Sequence, residues 1–400
     1  MSGRNLARPI RVMILVSGLD IGKAHGGAER FGVELARHLD PDRFSVLLCA
    51  FWRRHTQPES HWVSQLGNTG VRLIFASDWP GRFTPRAYLQ GVSKLMHELA
   101  SEPVDILHSH YQMGTLAALL LRSRKRARIA MRTAHGAKEW GFDLSSWIAR
   151  SILTDWVYPL TLDAEIGVSQ DIVNAISHHP GSILGRKTPL LIHNAIYPES
   201  FQTSPAQSPI PRDNLIKDQF VVGSVGRFTL QKGFHFLLAA IPIVNLEVPN
   251  ARYILVGDGE LRQSLEARAQ SLGIADQVEF AGQHPEAISF IKQLDVFVLP
   301  SLYEGLSTVL MESMACGIPV ITTDIPGTNE LIKDDVNGWL VPPKQPQPLA
   351  RAIIFALRDS EARQRIACQA LETVKKYHID KITSEYESLY QQLLNKHLPG

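Results

Sequence analysis

Two glutamates, Glu304 and Glu312, are set eight positions apart in LPSLYEGLSTVLMESMACGIPVITTDIPGTNELI, residues 299 to 332. The pattern predicts a strand ending at Pro300, a loop carrying Glu304, Gly305 and Leu306, and a helix capped by Ser307 or Thr308 and running through Met314. Free backbone N–H groups and the positive end of the helix dipole meet at such a start, which suits a phosphate. A carboxylate accepts two hydrogen bonds from paired hydroxyls, so one glutamate can hold a ribose and the other a hexose. The spacing fits a nucleotide sugar and is favoured over the bland alternative, in which both acids are solvent-facing loop and helix charges, because the surrounding Gly, Ser and Thr pattern is itself unusual.

A second constellation is VGSVGRFTLQKGFHFLLAA, where Gly226, Arg227, Lys232 and Gly233 lie between a strand and its helix. Two cations five residues apart in such a turn can clamp a diphosphate and stabilise charge on a leaving group. Gly26 and Gly27 follow the first apolar run and precede a helix, where backbone without a side chain can approach a ligand. DILHSHYQMG puts His108 and His110 at a strand end, on one side of it by the two-residue period. RTAHG offers His135 in the same way. No third and fourth ligand stands at metal spacing from the histidines. The one D-x-D triplet, Asp40 to Asp42, brackets Pro41 and reads as turn chemistry, so a metal-chelated diphosphate is not expected.

Positioning these residues requires a scaffold, and the apolar pattern supplies one. At 400 residues, 44% apolar and 20% charged, the chain has the make-up of a folded two-domain protein. Short apolar runs alternate with helical periods, the mark of a parallel sheet covered on both faces. The runs RVMILVS, FSVLLCA, VRLIFA, DILHSH, RIAMRTA and AEIGVS belong to a first unit, with helices at 27–39, 84–100 and 112–123. A proline-rich stretch then reads as a connector. QFVVGSVG, ARYILVG, QVEFAG, DVFVLP, IPVITT and GWLVPP restart the alternation, with helices near 232–247, 260–272, 307–316 and 346–357. The expected division is an N-terminal Rossmann-like domain over 1–198, a linker over 199–218 and a C-terminal one over 219–377, with a helix at 378–400 returning to the first. Ligands of open parallel sheets bind beyond the carboxyl ends of the strands, so the expected site lies in an interdomain cleft.

The wording EGLSTVLMESMACGIPVITTDIPG resembles the retaining glycosyltransferases of family 4, which have the GT-B fold and an E-x7-E signature. The resemblance is loose over 11–200 and tight over 220–342. It implies that Glu312 binds the nucleotide ribose and Glu304 the donor sugar, with the backbone of Gly305, Leu306, Ser307 and Thr308 near sugar and phosphates. It matches Arg227 and Lys232 to the family's GR....KG, and Gly26, Gly27 and Glu29 to its GG.E loop, which closes over the donor. It assigns His110 to a donor-sugar hydroxyl and the transition state, and leaves His108 as a packing neighbour. Glu330 matches a further family glutamate, and equally reads as an acid in a helix first turn. Ser169 and Asn194 match places with structural roles. The implied reaction is transfer from a UDP- or GDP-type sugar to an acceptor hydroxyl with retention, by front-side attack and without a metal or cofactor. The implied acceptor is a glycolipid or growing polysaccharide, and no nucleic acid is involved.

The rivals on this architecture are an oxidoreductase, a sugar-nucleotide epimerase and a non-catalytic nucleotide-sugar binding module. The first needs G-x-G-x-x-G after a strand, and VGDGELRQ supplies only Gly257 and Gly259. Residues 1–200 hold 23 basic and 17 acidic side chains, leaving 18 and 22 for the rest. The basic excess is densest at Arg122, Arg124, Lys125, Arg126 and Arg128, which read either as a solvated helix end or as a contact with a phosphate-lipid surface. Trp52, Trp79, Phe83 and Trp140 carry the same two readings, core or lipid-linked acceptor. Cys49, Cys316 and Cys368 read as buried thiols of a reducing compartment. No apolar run is long enough to span a bilayer, and a cytoplasmic location, free or at the inner membrane face, is the expectation.

Overall fold

The structure, a computed structural model, describes residues 8–21, 26–136, 151–197, 219–284 and 287–397. Two compact units account for them, one up to Asn194 together with the residues from Ile379, the other from Ala195 to His378. The linker expected at 199–218 falls outside the described residues, as does Trp140.

The first unit holds β1 (Ile10–Val16), β2 (Phe44–Arg53), β3 (Arg72–Asp78), β4 (Val104–Ser109), β5 (Ala127–Ala134), β6 (Ala164–Gly167) and β7 (Leu190–Leu191). All pair in parallel in the order β3-β2-β1-β4-β5-β6-β7. Near-continuous apolar strands such as IRVMILV form this sheet because both faces are covered, and Val12 through Val16 are fully buried. Its helices are α1 (Gly27–His38), α2 (Gln57–Leu66), α3 (Pro85–Ser101), α4 (Gln112–Ser123), α5 (Tyr158–Thr161, continuing a wider turn at Leu153–Val157), α6 (Gln170–Ser177) and α7 (Pro180–Gly185). Ser169 caps α6 by accepting from Ile172 N, a structural role.

The second unit orders β10-β9-β8-β11-β12-β13 in a parallel sheet: β8 (Phe220–Val225), β9 (Ala251–Val256), β10 (Val278–Gly282), β11 (Val296–Leu299), β12 (Val320–Thr323) and β13 (Trp339–Val341). Six helices follow: α8 (Phe234–Glu247), α9 (Arg262–Ser271), α10 (Ala287–Ile291), α11 (Thr308–Ala315), α12 (Pro346–Arg358) and α13 (Ser360–Val374). Val222, Leu238, Ile241, Leu255, Val298 and Ile353 form part of its core. The last helix, α14 (Ile379–Lys396), belongs to the first unit, where Glu387 accepts from Asp40 N and from Arg43. Both sheets are doubly wound, and strand order reverses between β1 and β4 and between β8 and β11, the points at which such folds hold ligands.

Two sequence expectations need correction, and a third reading is refined. Cys368 is exposed, unlike buried Cys49, because Ile366 and Ala370 carry the buried side of α13 and Cys368 falls opposite them. Glu330 is not in a helix first turn: residues 326–331 form successive turns, closed by Thr328 N to Ile325 O and Ile332 N to Thr328 O. The basic run is divided. Arg122 is tied to Asp163 and to Thr161 O, while Arg124, Lys125 and Arg128 are exposed where α4 gives way to β5.

Candidate functional site

In the second unit the loops after β8 and β11 meet. Gly233 has φ +64, and a Cβ there would lie 2.1 Å from Pro300 O, so only glycine lets the 230–233 turn close on the end of β11. That closure brings Lys232 Nζ within 2.7 Å of Glu304 Oε1. Ser301 Oγ donates to the same oxygen at 2.6 Å. The Lys232 stem runs past Gly226, whose missing Cβ would sit 3.4 Å from Lys232 Cε. Glu304 and Lys232 have side chains only 7% and 16% exposed, so the pair is largely withdrawn from water.

The Glu304–Gly305 loop is pressed from behind by Gly327, at φ +86, where a Cβ would overlap Gly305 O at 1.7 Å. Thr328 holds that support in place by donating to Thr323 O at 2.5 Å. Ser307 is the N-cap of α11, but its hydroxyl makes no cap bond. Its Oγ is buried and without a hydrogen-bond partner among the described residues. Leu306 and Glu312 are buried, Glu312 one turn into α11. Thr308 begins the helix.

Arg227 and Lys232, which their spacing assigns together to a diphosphate, have different surroundings. Lys232 turns to Glu304, while Arg227 is exposed. The Arg227 loop is fixed through its backbone by the segment that a dinucleotide reading would have used for phosphate. Phe228 N donates to Asp258 O at 2.9 Å, and a Cβ on Gly257 would lie 1.9 Å from Gly226 O. Gly257 and Gly259 are packing glycines of this site.

In the first unit, Glu29 Oε2 accepts from Gly26 N at 3.2 Å, the N3 half of a capping box at the start of α1, Gly26 having no side chain to supply the other half. No described atom lies within 4 Å of a Cβ built on Gly26; Gly27 begins the helix. Gly32, one turn on, lets α1 approach β1 and His110, for a Cβ there would meet Val16 at 2.5 Å and the His110 ring at 3.3 Å.

His108, His110 and His135 gather at the end of β4 and β5. The His108 and His110 rings are 4.3 Å apart, and His110 Nδ1 lies 3.1 Å from His135 Nε2. His108 is wholly internal, its Nδ1 2.7 Å from Tyr390 Oη and its Nε2 2.8 Å from Thr133 Oγ1. Burial pushes His108 down to about 3 and His135 down to about 4, a nearby Glu29 charge and Asn194 opposing the latter shift. His110 is held well below its usual range by burial and by its two neighbours. Its Nε2 is buried and has no partner among the described residues; His135, half-buried, is the member nearest the surface. The trio is therefore a neutral hydrogen-bonding group. Among the described residues no cluster of three or more His, Cys, Asp or Glu is arranged to hold a metal ion.

Sequence reading missed Ser301, Gly327 and Tyr390. Only Gly327 had a visible signal, a Pro-Gly pair before a turn.

Two doubly wound units with ligand-ready loops at each switch point define a GT-B protein. Solved structures agree on the fold. HepE from Anabaena, crystallised with UDP-glucose, superposes with a TM-score of 0.77 at 22% identity, over 96% of this chain and 100% of that one. Sucrose-phosphate synthase from Thermosynechococcus elongatus gives 0.78 at 22% identity, over 97% and 100%. The model of Glycosyltransferase Family 4 matches residues 25–199, and that of Glycosyl transferases group 1 matches residues 207–373. The chain belongs to the family 4 glycosyltransferases. Among curated relatives, a lipopolysaccharide core biosynthesis glycosyltransferase of Rhizobium meliloti is 37% identical over 43% of this chain and 50% of its own length. N-acetyl-alpha-D-glucosaminyl L-malate synthase of Bacillus anthracis is 26% identical over 76% of this chain and 78% of its own. The chain spans about half the length of the first curated relatives it matches.

Proposed function

We propose that the chain transfers a hexosyl group from a nucleoside-diphosphate sugar to an acceptor hydroxyl, with retention of anomeric configuration and without a metal ion. The bond from the anomeric carbon to the diphosphate oxygen breaks. The acceptor oxygen bonds to the same face of that carbon, and its proton ends on the departing diphosphate. Lys232, Arg227 and the start of α11 at Ser307 and Thr308 counter the growing phosphate charge, Glu312 holds the ribose, and Glu304 faces the sugar. Gly226, Gly305 and Leu306 let the backbone reach the phosphates. In the first unit Gly26, Gly27 and the histidine trio, with His110 as its hub, serve sugar hydroxyls. The observation that carries this reading is the withdrawn Lys232–Glu304 pair beside the unpartnered Ser307 hydroxyl.

UDP-glucose is the first donor to test, since HepE was crystallised with it. A lipopolysaccharide core oligosaccharide is the first acceptor, by analogy with the Rhizobium relative, a lipopolysaccharide core biosynthesis glycosyltransferase. Released nucleoside diphosphate and the anomeric proton coupling of the product are the readouts, with and without a chelator. Turnover with an α product that survives chelation supports the proposal. Binding without release would make the chain a nucleotide-sugar binding module, and an inverted product would remove the front-side route.

A further inference from the structure

In the first unit the helix leading into β6 turns an apolar row outward. Ile152, Trp156 and Leu160 recur every fourth residue, while Thr154, Tyr158 and Pro159 face inward and are buried. The neighbouring helix α7 crosses at glycines: a Cβ on Gly181 would lie 2.7 Å from Asp155 O, and one on Gly185 3.4 Å from Leu160 Cδ2. The close crossing sets Ile183 and Leu184 beside the row. All five side chains are 41% to 68% exposed, a contiguous apolar surface where scattered single residues would be ordinary.

The rim of this surface is basic. Lys187 Nζ reaches Leu160 O and Leu162 O at 3.1 and 2.6 Å. Arg186, exposed, ends α7 in the left-handed conformation. Arg122 reaches Thr161 O at 2.7 Å, and exposed Arg124 and Lys125 follow it in the chain where α4 ends. Of the acids nearby, Asp163 pairs with Arg122, while Asp155 accepts from Thr154 Oγ1 and lies 3.8 Å from His179, which burial holds below its usual range. The exposed cations Arg124, Lys125, Arg186 and Lys187 outnumber that carboxylate. A rim with cations in excess around an apolar, tryptophan-bearing face complements one partner best, the headgroup and acyl boundary of an anionic bilayer.

We propose that this face, built from Ile152, Trp156, Leu160, Ile183 and Leu184 and rimmed by Arg124, Lys125, Arg186 and Lys187, docks the chain on anionic phospholipid. It takes up the basic run of the sequence in its exposed part only, Arg122 being committed internally.

The test is flotation of the full chain with vesicles of phosphatidylcholine, alone or mixed with phosphatidylglycerol. Binding is expected to the mixed vesicles and not to the neutral ones. Leu184→Glu and Trp156→Glu each weaken it at least about tenfold through lost apolar burial. Arg124→Gln and Lys125→Gln each weaken it about fivefold and reduce its salt sensitivity. All four positions are exposed, and an unchanged melting temperature confirms folding. Equal binding to both vesicle types, no binding, or variants that bind like the parent overturn the proposal. So does a concentration-dependent dimer abolished by the same glutamates, which would give the face to a second copy.

Discussion

Replacing Lys232 by Met keeps the stem that packs past Gly226 and removes only the ammonium that meets Glu304 Oε1 at 2.7 Å. Glu304, with its side chain 7% exposed, would keep a single donor, the Ser301 hydroxyl. Breaking one side of a buried pair costs ~3 to 5 kcal/mol, chiefly by stranding the other charge. Ser301 and the partial exposure of Lys232 put the expected loss near the lower end, ~3 kcal/mol. For a unit of this size that lowers its melting transition by about 6 to 12 °C. Lys232→Met with Glu304→Leu should lose less than the two single changes added together, by ~1 to 3 kcal/mol, because neither charge is then stranded. Differential scanning calorimetry of the four proteins, following the transition of the second unit, reads both quantities. Turnover should fall about 30- to 1000-fold in Lys232→Met, a ~2 to 4 kcal/mol rise in barrier. A Lys232→Met protein that melts like the parent, together with additive losses in the double variant, would show that the pair is not withdrawn from water and would undo the argument for the site.

Ser307→Ala should leave the free protein as stable as the parent, or slightly more so, since the hydroxyl has no partner to lose. It should weaken UDP-glucose binding about two- to tenfold in a thermal-shift titration; unchanged affinity removes Ser307 from the donor contacts. Acidification should destabilise the first unit. His108 and His135 sit at about 3 and about 4 when folded against 6.5 unfolded, so the unfolded chain binds more protons in between. Stability is then complete above about pH 6.5 and falls toward pH 4 by ~1.4 kcal/mol per pH unit for each histidine. Urea melts across that range test it, and a flat profile would mean the trio is open to water. Tyr390→Phe strands His108 Nδ1 and should cost ~1 to 3 kcal/mol in the same melts, with little change if water replaces the hydroxyl.

Much of this scaffold is written locally. The expected helix at 112–123 has the observed bounds, and α12 begins at Pro346, where proline is pre-set for a helix start. Every long strand was visible as an apolar run because parallel strands are buried on both faces. Helix α2 was not, since its apolar residues are sparse and only Glu59 and Leu66 are buried on it. The site was legible by residue type and less so by partner. Spacing singled out Lys232 beside Arg227, but no local pattern encodes its partner Glu304, 72 positions away. Tyr390 is 282 positions from His108, and no local pattern encodes that contact.

The two switch points differ in the electrical character of what they bury, and that difference bears on what each can recognise. At β1 and β4 the buried groups are imidazoles, and withdrawal from water strips them of charge. A neutral imidazole offers one donor and one acceptor, a match for a hydroxyl and a poor one for a phosphate. At β8 and β11 the buried groups are an ammonium and a carboxylate that keep each other company, with the N-terminus of α11 beside them. On the proposed function, an arriving diphosphate would compete with Glu304 for Lys232, and as Lys232 turned toward it, Glu304 Oε1 would be left with Ser301 and a free acceptor site for a sugar hydroxyl. Donor binding would thus exchange one satisfied pair for two new contacts, with the desolvation cost already met in folding. On this account Glu304→Gln, which cannot form the ion pair and still accepts a hydrogen bond, leaves Lys232 freer for phosphate. It should hold UDP itself at least as tightly as the parent while losing turnover, and calorimetric titration with UDP decides it: a weaker fit to UDP would mean that Glu304 positions the lysine for phosphate and does not compete for it.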